Sequence, residues 1–172
     1  MVRAWVGIAL AVLLFPLSAA AQPRRSGHGF VAARVGANLV GNTYRVRQEK
    51  PTAGAGLSGG IFLSPYWVAE VEAWFRASSP ECCTGREQLL SVNAERLYAG
   101  LGIQPYLAGG LAILRSQSRA QSAGSKLHLQ VQVTAGLRVP LARRLAVDLD
   151  LRGNGGGSTM IVRPTAAAVY IF

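Results

Sequence analysis

Charged side chains recur at every second position in segments of the chain that are otherwise apolar. Between Tyr66 and Ala77 the acids Glu70 and Glu72 alternate with apolar residues, and Asp148 and Asp150 do the same further along. Charges at this spacing lie on one side of a strand, where they can pair with one another or carry a proton or an ion. Ion pairing is the predicted role, and a proton or ion pathway is the alternative. The predicted network comprises Arg34, Glu70, Glu72, Arg76, Arg138, Asp148, Asp150, Arg152 and Arg163.

Metal, thiol and phosphate chemistry have weaker support. Cys82 and Cys83 are adjacent and have no histidine near them, so their neighbours cannot supply a tetrahedral metal site. The two thiols could stay free, form a strained vicinal ring or bridge two molecules. The glycine-rich stretch 153–157 carries no phosphate-loop lysine and is predicted to be a flexible loop. No cofactor and no metal are expected.

The elements that must position the charges are strands. Strict alternation of apolar and polar residues is clearest in three segments, and weaker alternation fills the gaps between them. One uncharged run, Leu97 to Leu114, could by hydropathy be a transmembrane helix, but Pro105 and four glycines argue against it. The register of residues 88–104 stays open. The eight predicted strands are 31–39, 52–63, 66–77, 88–98, 106–114, 127–139, 145–152 and 161–172.

The connections between these strands alternate in length. Tight turns are predicted at 64–65, 100–105 and 140–144. Longer segments rich in Gly, Ser and charge are predicted at 41–51, 78–87, 116–125 and 153–160. This alternation is typical of meander barrels in outer membranes, which have short periplasmic turns and longer external loops.

The first residues predict export. Arg3 precedes an apolar run that is too short to span a bilayer comfortably, and small residues then lead to a predicted cleavage site after Ala21. An uncleaved anchor is the alternative. The predicted organisation is a signal peptide over 1–21, a short N-terminal segment over 22–27 and a barrel over 28–172. The chain of 172 residues has a net charge of +10, which suggests an anionic neighbour, and export disfavours nucleic acid.

Several short motifs carry a family resemblance. They are the glycine-rich run 59–62 before the Ser64-Pro65 turn, the run 104–110 that opens a strand, the run 136–141, and the aromatic residues Tyr170 and Phe172. Together they resemble the small outer-membrane β-barrels of the OmpA-like type. The resemblance implies an all-β, eight-stranded antiparallel up-and-down transmembrane barrel in the outer membrane of a Gram-negative bacterium. It also implies that Tyr170 and Phe172 form a signal for the barrel-insertion machinery.

The aromatic residues cluster near predicted strand ends and suggest interfacial girdles, although some of them point inward. Those near the periplasmic ends are Phe30, Phe62, Trp67, Tyr98, Tyr106, Tyr170 and Phe172, and those near an external end are Trp74 and Phe75.

The predicted function is non-enzymatic, with a structural or surface-interaction role for a monomeric barrel. One alternative is a narrow pore, because Gly54, Gly56, Ser58 and Gly60 leave room inside. A second is a lipid A-modifying enzyme, which would need a serine near its histidine; His128 is instead followed by Leu-Gln. A third is a periplasmic β-protein. Outer-membrane lipid and lipopolysaccharide are the expected partners, through external basic residues Arg45, Arg47, Lys50, Arg115, Arg119 and Lys126.

Overall fold

Eight antiparallel strands form a closed barrel in the computed structural model, which describes residues 27–42, 51–76, 84–98, 102–118, 126–156 and 159–172. Each strand pairs with its neighbours in the chain, and the first pairs with the last. The predicted fold is therefore confirmed. The strands are β1 (Gly29–Asn42), β2 (Thr52–Phe62), β3 (Trp67–Arg76), β4 (Thr84–Leu97), β5 (Gln104–Ser118), β6 (Lys126–Pro140), β7 (Leu145–Gly156) and β8 (Thr159–Ile171).

The helical alternative for residues 97–114 is wrong. Leu97 ends β4, and the residues from Gln104 onward lie in β5. Pro105 pairs opposite Leu137 at the start of β5 on the outer face, a position near a strand end that proline tolerates. None of the described residues lies in a helix long and apolar enough to cross a membrane.

The predicted loop over 153–160 is also wrong. Strand β7 continues to Gly156 and β8 begins at Thr159, so two residues connect them. Asn154 lies inside the barrel, where its side-chain amide donates to Gln132 at 2.9 Å. Gly156 allows close strand packing here, because a Cβ at this position would lie 2.5 Å from the carbonyl oxygen of Leu129. Composition alone cannot distinguish this use of glycine from a flexible loop.

The distribution of polarity is the inverse of that in a water-soluble barrel. The outer wall is apolar, with Leu57, Leu127 and Leu129 each more than 60% exposed. The interior holds fully buried arginines, glutamates and aspartates. Water would penalise such an outer wall, whereas hydrocarbon would not, and a closed barrel pairs its backbone groups internally.

The interior has three layers along the barrel axis. An apolar plug closes the periplasmic end and includes Phe30, Phe62, Val68 and Tyr106. A charged and polar layer fills the middle. A second apolar cluster at the external end consists of Trp74, Leu89, Ala112, Leu114 and Ile161.

The seam between the first and last strands is interrupted at one point. The pairing of β1 with β8 runs from Phe30 to Gly36, stops at Ala37 and Asn38, and resumes at Leu39. Gly29 and Phe172 exchange two backbone hydrogen bonds. Such bonded pairs recur at every second residue of an antiparallel ladder, so the odd-numbered residues of β1 are the ones whose backbone groups point at β8. Ala37 therefore stands opposite Pro164, which has no N–H to donate to its carbonyl group.

Candidate functional site: the charged interior and the two basic rims

Arg152 lies at the centre of the charged layer. Its guanidinium group contacts Glu72 at 2.9 Å, Asp150 at 3.1 Å and Glu70 at 3.3 Å. The four residues lie on β3 and β7, two strands that are about half the chain length apart in sequence. One cation thus holds three carboxylates together across the interior of the barrel.

Arg34 joins the same cluster from β1. It contacts Asp150 at 2.5 Å and Glu70 at 2.7 Å. Asp150 also accepts hydrogen bonds from the Tyr106 hydroxyl, at 2.6 Å, and from the Thr165 hydroxyl. Strands from opposite sides of the barrel are therefore linked through one carboxylate.

Arg138 forms a second cluster towards the periplasmic end. Its guanidinium group makes two parallel 2.8 Å bonds to Asp148 and a third contact to Glu95 at 3.2 Å. The same group lies 5.5 Å from the centre of the Phe30 ring and 5.6 Å from that of Tyr106. The Arg138 guanidinium group is thus stabilised by hydrogen bonds to carboxylates and by cation–π contacts with aromatic rings.

Arg163 and Arg76 lie towards the external end. Arg163 contacts Glu72 at 3.4 Å and stacks 5.0 Å from the centre of the Trp74 ring. Arg76 contacts Glu87 at 3.4 Å. The cavity at this mouth has a volume of about 10 Å³, at the lower limit of what can hold one water molecule.

The structure brings all nine predicted network residues into the interior. All nine side chains are buried, and they are those of Arg34, Glu70, Glu72, Arg76, Arg138, Asp148, Asp150, Arg152 and Arg163. The sequence prediction missed Glu95, which is buried on β4, because the alternation around it is weak. The signal that could have found it is the inward set Leu89, Ser91, Asn93, Glu95 and Leu97, whose polar middle resembles that of the other strands. With Glu95, five buried arginines face five buried carboxylates.

Large side chains occupy the space that the small residues of β2 leave. A Cβ at Gly54 would lie 2.6 Å from the Trp74 ring, and a Cβ at Gly60 would lie 2.5 Å from the Phe30 ring. The aromatic rings therefore pack directly against the small inward residues of β2. Phe30, Phe62, Tyr106 and Trp74 are interior residues and lie outside any girdle.

Of the remaining aromatic residues, Tyr98 is buried and Phe75 faces outward near the external end of β3. Tyr170 and Phe172 face outward at the periplasmic rim. Tyr170 and Phe172 are 42% and 59% exposed, and the Tyr170 hydroxyl accepts a bond from Arg144 at 3.5 Å. Arg96 stacks on Trp67 and Tyr98. The role of Tyr170 and Phe172 as an insertion signal stays a prediction.

The external basic residues fall into two groups. Arg115 and Lys126 are exposed at the external ends of β5 and β6, within strands rather than in a loop. The others lie outside the described residues: Arg45, Arg47, Lys50 and Arg119, as do Cys82 and Cys83.

Neither histidine lies inside the barrel. His28 Nδ1 is 3.2 Å from the carbonyl oxygen of Phe172 and is exposed. His128 is exposed near the external end of β6, opposite Leu114 of β5. The signal peptide predicted for 1–21 lies outside the described part of the chain.

The closed eight-stranded barrel, its apolar outer wall and its charged interior define a transmembrane β-barrel of the outer-membrane type. No protein-family model matches the sequence, and no curated protein does. The similarity is to solved structures of small barrels, at sequence identities that show a shared fold.

Three of these structures illustrate the similarity. Neisserial surface protein A has a TM-score of 0.68 at 13% identity, and the match covers 85% of this chain and 99% of that one. The N-terminal barrel domain of Pseudomonas aeruginosa OprF has a TM-score of 0.66 at 16% identity, over 88% and 100%. The attachment invasion locus protein Ail of Yersinia pestis has a TM-score of 0.64 at 14% identity, over 86% and 100%.

Proposed function

We propose that this protein is a monomeric, non-enzymatic outer-membrane barrel whose basic external rim binds the phosphate groups of lipopolysaccharide. The observation that carries the proposal is the position of Arg115. It follows Leu111 and Ile113, which are exposed on the outer face of β5, and continues their outward alternation. Its guanidinium group therefore lies just above the lipid-facing wall, where the head groups of the outer leaflet begin.

The neighbours of Arg115 suit that position. It pairs with Gln88 of β4 and Leu127 of β6, and the side chain of Leu127 is 68% exposed. An arginine bordered by apolar and neutral residues on the outer wall can keep its stem in hydrocarbon and its charge among head groups. Lys126 is exposed beside Ser116 at the same end.

The distribution of acidic residues leaves the external rim positive. Five of the eight acids are buried in the interior, and Glu87 pairs with Arg76 at the mouth. The other two, Glu49 and Glu81, stand in the predicted external loops, against the basic residues predicted there. A basic group near an anionic membrane surface contributes about 1 kcal/mol, and salt weakens this over roughly 8 Å.

Two further observations support the proposal. Ail, which has the same fold, was crystallised with the heparin analogue sucrose octasulfate, a polyanion. The interior of this barrel is filled by paired charges between two apolar layers, which favours a structural interior over a narrow pore. We further propose that the insertion machinery reads Tyr170 and Phe172.

The test replaces Arg115 and Lys126 by glutamine in the refolded barrel. Lipopolysaccharide binding is measured at low and high salt, with lipopolysaccharide stripped of its lipid A phosphates as a second ligand. The double variant should bind intact lipopolysaccharide roughly 30-fold more weakly at low salt, since two bases of about 1 kcal/mol each are lost. The matched control, Arg143→Gln with Arg144→Gln, removes two charges from the opposite rim and should bind as the unmodified protein does.

The outcomes separate the alternatives. Equal binding by the two double variants would reject the proposal, as would equal binding of stripped and intact lipopolysaccharide. Binding of a sulfated polysaccharide without binding of lipopolysaccharide would assign the rim to another surface polyanion. Steady ion conductance in planar bilayers would support the narrow pore instead.

A further inference from the structure

Strand β6 has a polar inward face along its length. Among the described residues, each of the other seven strands contributes to the periplasmic apolar cluster, and β6 contributes to neither cluster. A polar stripe, called the β6 stripe below, therefore runs past both apolar layers. Its members from the external mouth towards the periplasm are Lys126, His128, Gln130, Gln132, Thr134, Gly136 and Arg138.

Three buried side chains of the β6 stripe have a polar atom that makes no hydrogen bond within the described part of the protein. The atoms are Gln130 Oε1, Thr134 Oγ1 and Arg138 Nη1, and each of these residues is 2% exposed or less. Proteins satisfy such buried atoms with ordered water when no protein group does so. Each of the three atoms therefore marks a site for a water molecule.

The neighbouring strands add a fourth such atom and supply no partner. Asn93 Oδ1 of β4 makes no hydrogen bond to the described residues, and the donation of its Nδ2 to Glu70 and Ser91 fixes which amide atom this is. A Cβ at Gly110 of β5 would overlap Asn93 Oδ1, so this oxygen lies over β5 and beside the β6 stripe. The β5 residues opposite this part of the stripe are small and have no polar side chain: Ala108, Gly110 and Ala112.

The ring of Tyr106 divides the β6 stripe. It lies over Gly136, where a Cβ would overlap the ring, and its hydroxyl donates to Asp150 at 2.6 Å. Gln130 and Thr134 lie on the external side of this ring, and the exposed Lys126 and His128 continue the stripe to the mouth. On the periplasmic side, Arg138 pairs with Gln104 of β5, whose Oε1 also makes no hydrogen bond to the described residues.

We propose that the β6 stripe binds a row of internal water molecules that enters from the external mouth, and that the Tyr106 ring closes this row on its periplasmic side. The water-binding groups of the external part are Gln130, Asn93 and Thr134. Single bound waters bring no ions with them, and side chains fill the rest of an eight-stranded interior. The inference goes beyond lipopolysaccharide binding at the rim and is compatible with a barrel that does not conduct ions.

The first test compares two buried threonines by NMR of the unmodified barrel in detergent micelles. Thr134 Oγ1 has no partner among the described residues, whereas the Thr165 hydroxyl donates to Asp150. The Thr134 methyl group should show a cross-peak at the water frequency, either direct or relayed by its hydroxyl proton, and the Thr165 methyl group should show none. The absence of this cross-peak at Thr134, or equal cross-peaks at both threonines, would overturn the water sites.

The second test measures the osmotic water permeability of vesicles that contain the barrel, by stopped-flow light scattering. The unmodified protein should leave permeability at the level of protein-free vesicles. Tyr106→Ala removes the ring from Gly136 and should raise permeability several-fold, whereas the matched control Tyr106→Phe keeps the ring and should not. Adding Thr134→Leu to Tyr106→Ala places an apolar side chain in the row and should reverse the rise.

Two results would overturn closure by the ring: an unchanged permeability in Tyr106→Ala, or an equal rise in Tyr106→Phe. A rise that persists after Thr134→Leu would show that water crosses elsewhere than along the β6 stripe. Heat-modifiable gel migration checks folding, and the NMR comparison needs no variant, so it decides the water sites even if Tyr106→Ala does not fold. Lipopolysaccharide binding should be unchanged in Tyr106→Ala, which makes failure here distinguishable from failure of the proposed function.

Discussion

At the scale of single residues, the interior depends on a few side chains that each hold several others. Arg152 is the clearest, because it contacts Glu70, Glu72 and Asp150 within 3.3 Å. A buried carboxylate that loses its cation is strongly destabilised, more so when a second carboxylate lies beside it. Arg34 and Arg163 would compensate only in part, because each already has its own carboxylate contacts.

Replacing Arg152 by methionine should therefore lower the free energy of unfolding by about 3–5 kcal/mol. Arg115→Met is the matched control, since it removes an exposed arginine, and should change stability by about 0.5 kcal/mol or less. Urea titration of the barrel in lipid vesicles, followed by tryptophan fluorescence, measures both. A loss below about 1 kcal/mol for Arg152→Met would show that the ion network is not what organises the interior.

The glycines of β2 allow a second residue-scale test, because Gly59 and Gly60 are adjacent but face opposite sides. A Cβ at Gly60 would lie 2.3 Å from the carbonyl oxygen of Ala69 and 2.5 Å from the Phe30 ring, whereas at Gly59 its nearest contact is 3.4 Å. Gly60→Ala should destabilise the barrel by about 1–3 kcal/mol, the usual cost of overpacking. Gly59→Ala should be neutral or slightly stabilising. Similar unfolding midpoints for the two variants would contradict the assigned faces.

At the scale of strands, the ladder that closes the barrel, between β1 and β8, is interrupted within its length. Pro164 provides no N–H opposite Ala37, and the pairing is interrupted there. In the bilayer core no water is present to donate a hydrogen bond to an unpaired carbonyl group. The free-energy cost of the missing bond is therefore larger than in a water-soluble sheet. Proline offsets part of this cost by restricting the unfolded chain.

Pro164→Val should restore the donor and stabilise the barrel by about 1 kcal/mol. Hydrogen exchange should show a protected amide at position 164 and stronger protection at Leu39 and Val162, which flank the interruption. Ala166→Val is the control, because it adds an apolar side chain to β8 without adding a donor. If protection at the seam stays as in the unmodified protein, the missing bond is not the cause of the interruption.

At the scale of the whole molecule, charge is sorted by region. The interior pairs five buried arginines with five buried carboxylates, while the periplasmic connections carry only bases. Screening by salt acts on exposed charges and far less on buried pairs. The two groups of charges should therefore respond differently to ionic strength.

Raising the salt concentration should weaken lipopolysaccharide binding while leaving the free energy of unfolding nearly unchanged. Parallel binding and urea titrations at low and high salt provide the comparison. A steep fall in stability with salt would mean that solvent reaches the interior network, and it would favour the pore over the filled barrel.

The amino-acid sequence by itself determined which residues form strands and which side of each strand faces inward, because alternation with a period of two is a local property. It therefore predicted the eight strands, the closed barrel and all nine charges inside. It failed for Glu95 and for residues 153–156, where neighbouring residues do not alternate clearly or where glycine resembles a loop. Only the tertiary structure decided which arginine meets which carboxylate, which glycine receives which ring, and that Arg96 lies between two aromatic residues. Those contacts join strands that barrel closure brings together, and their geometry depends on the register and tilt of every strand at once.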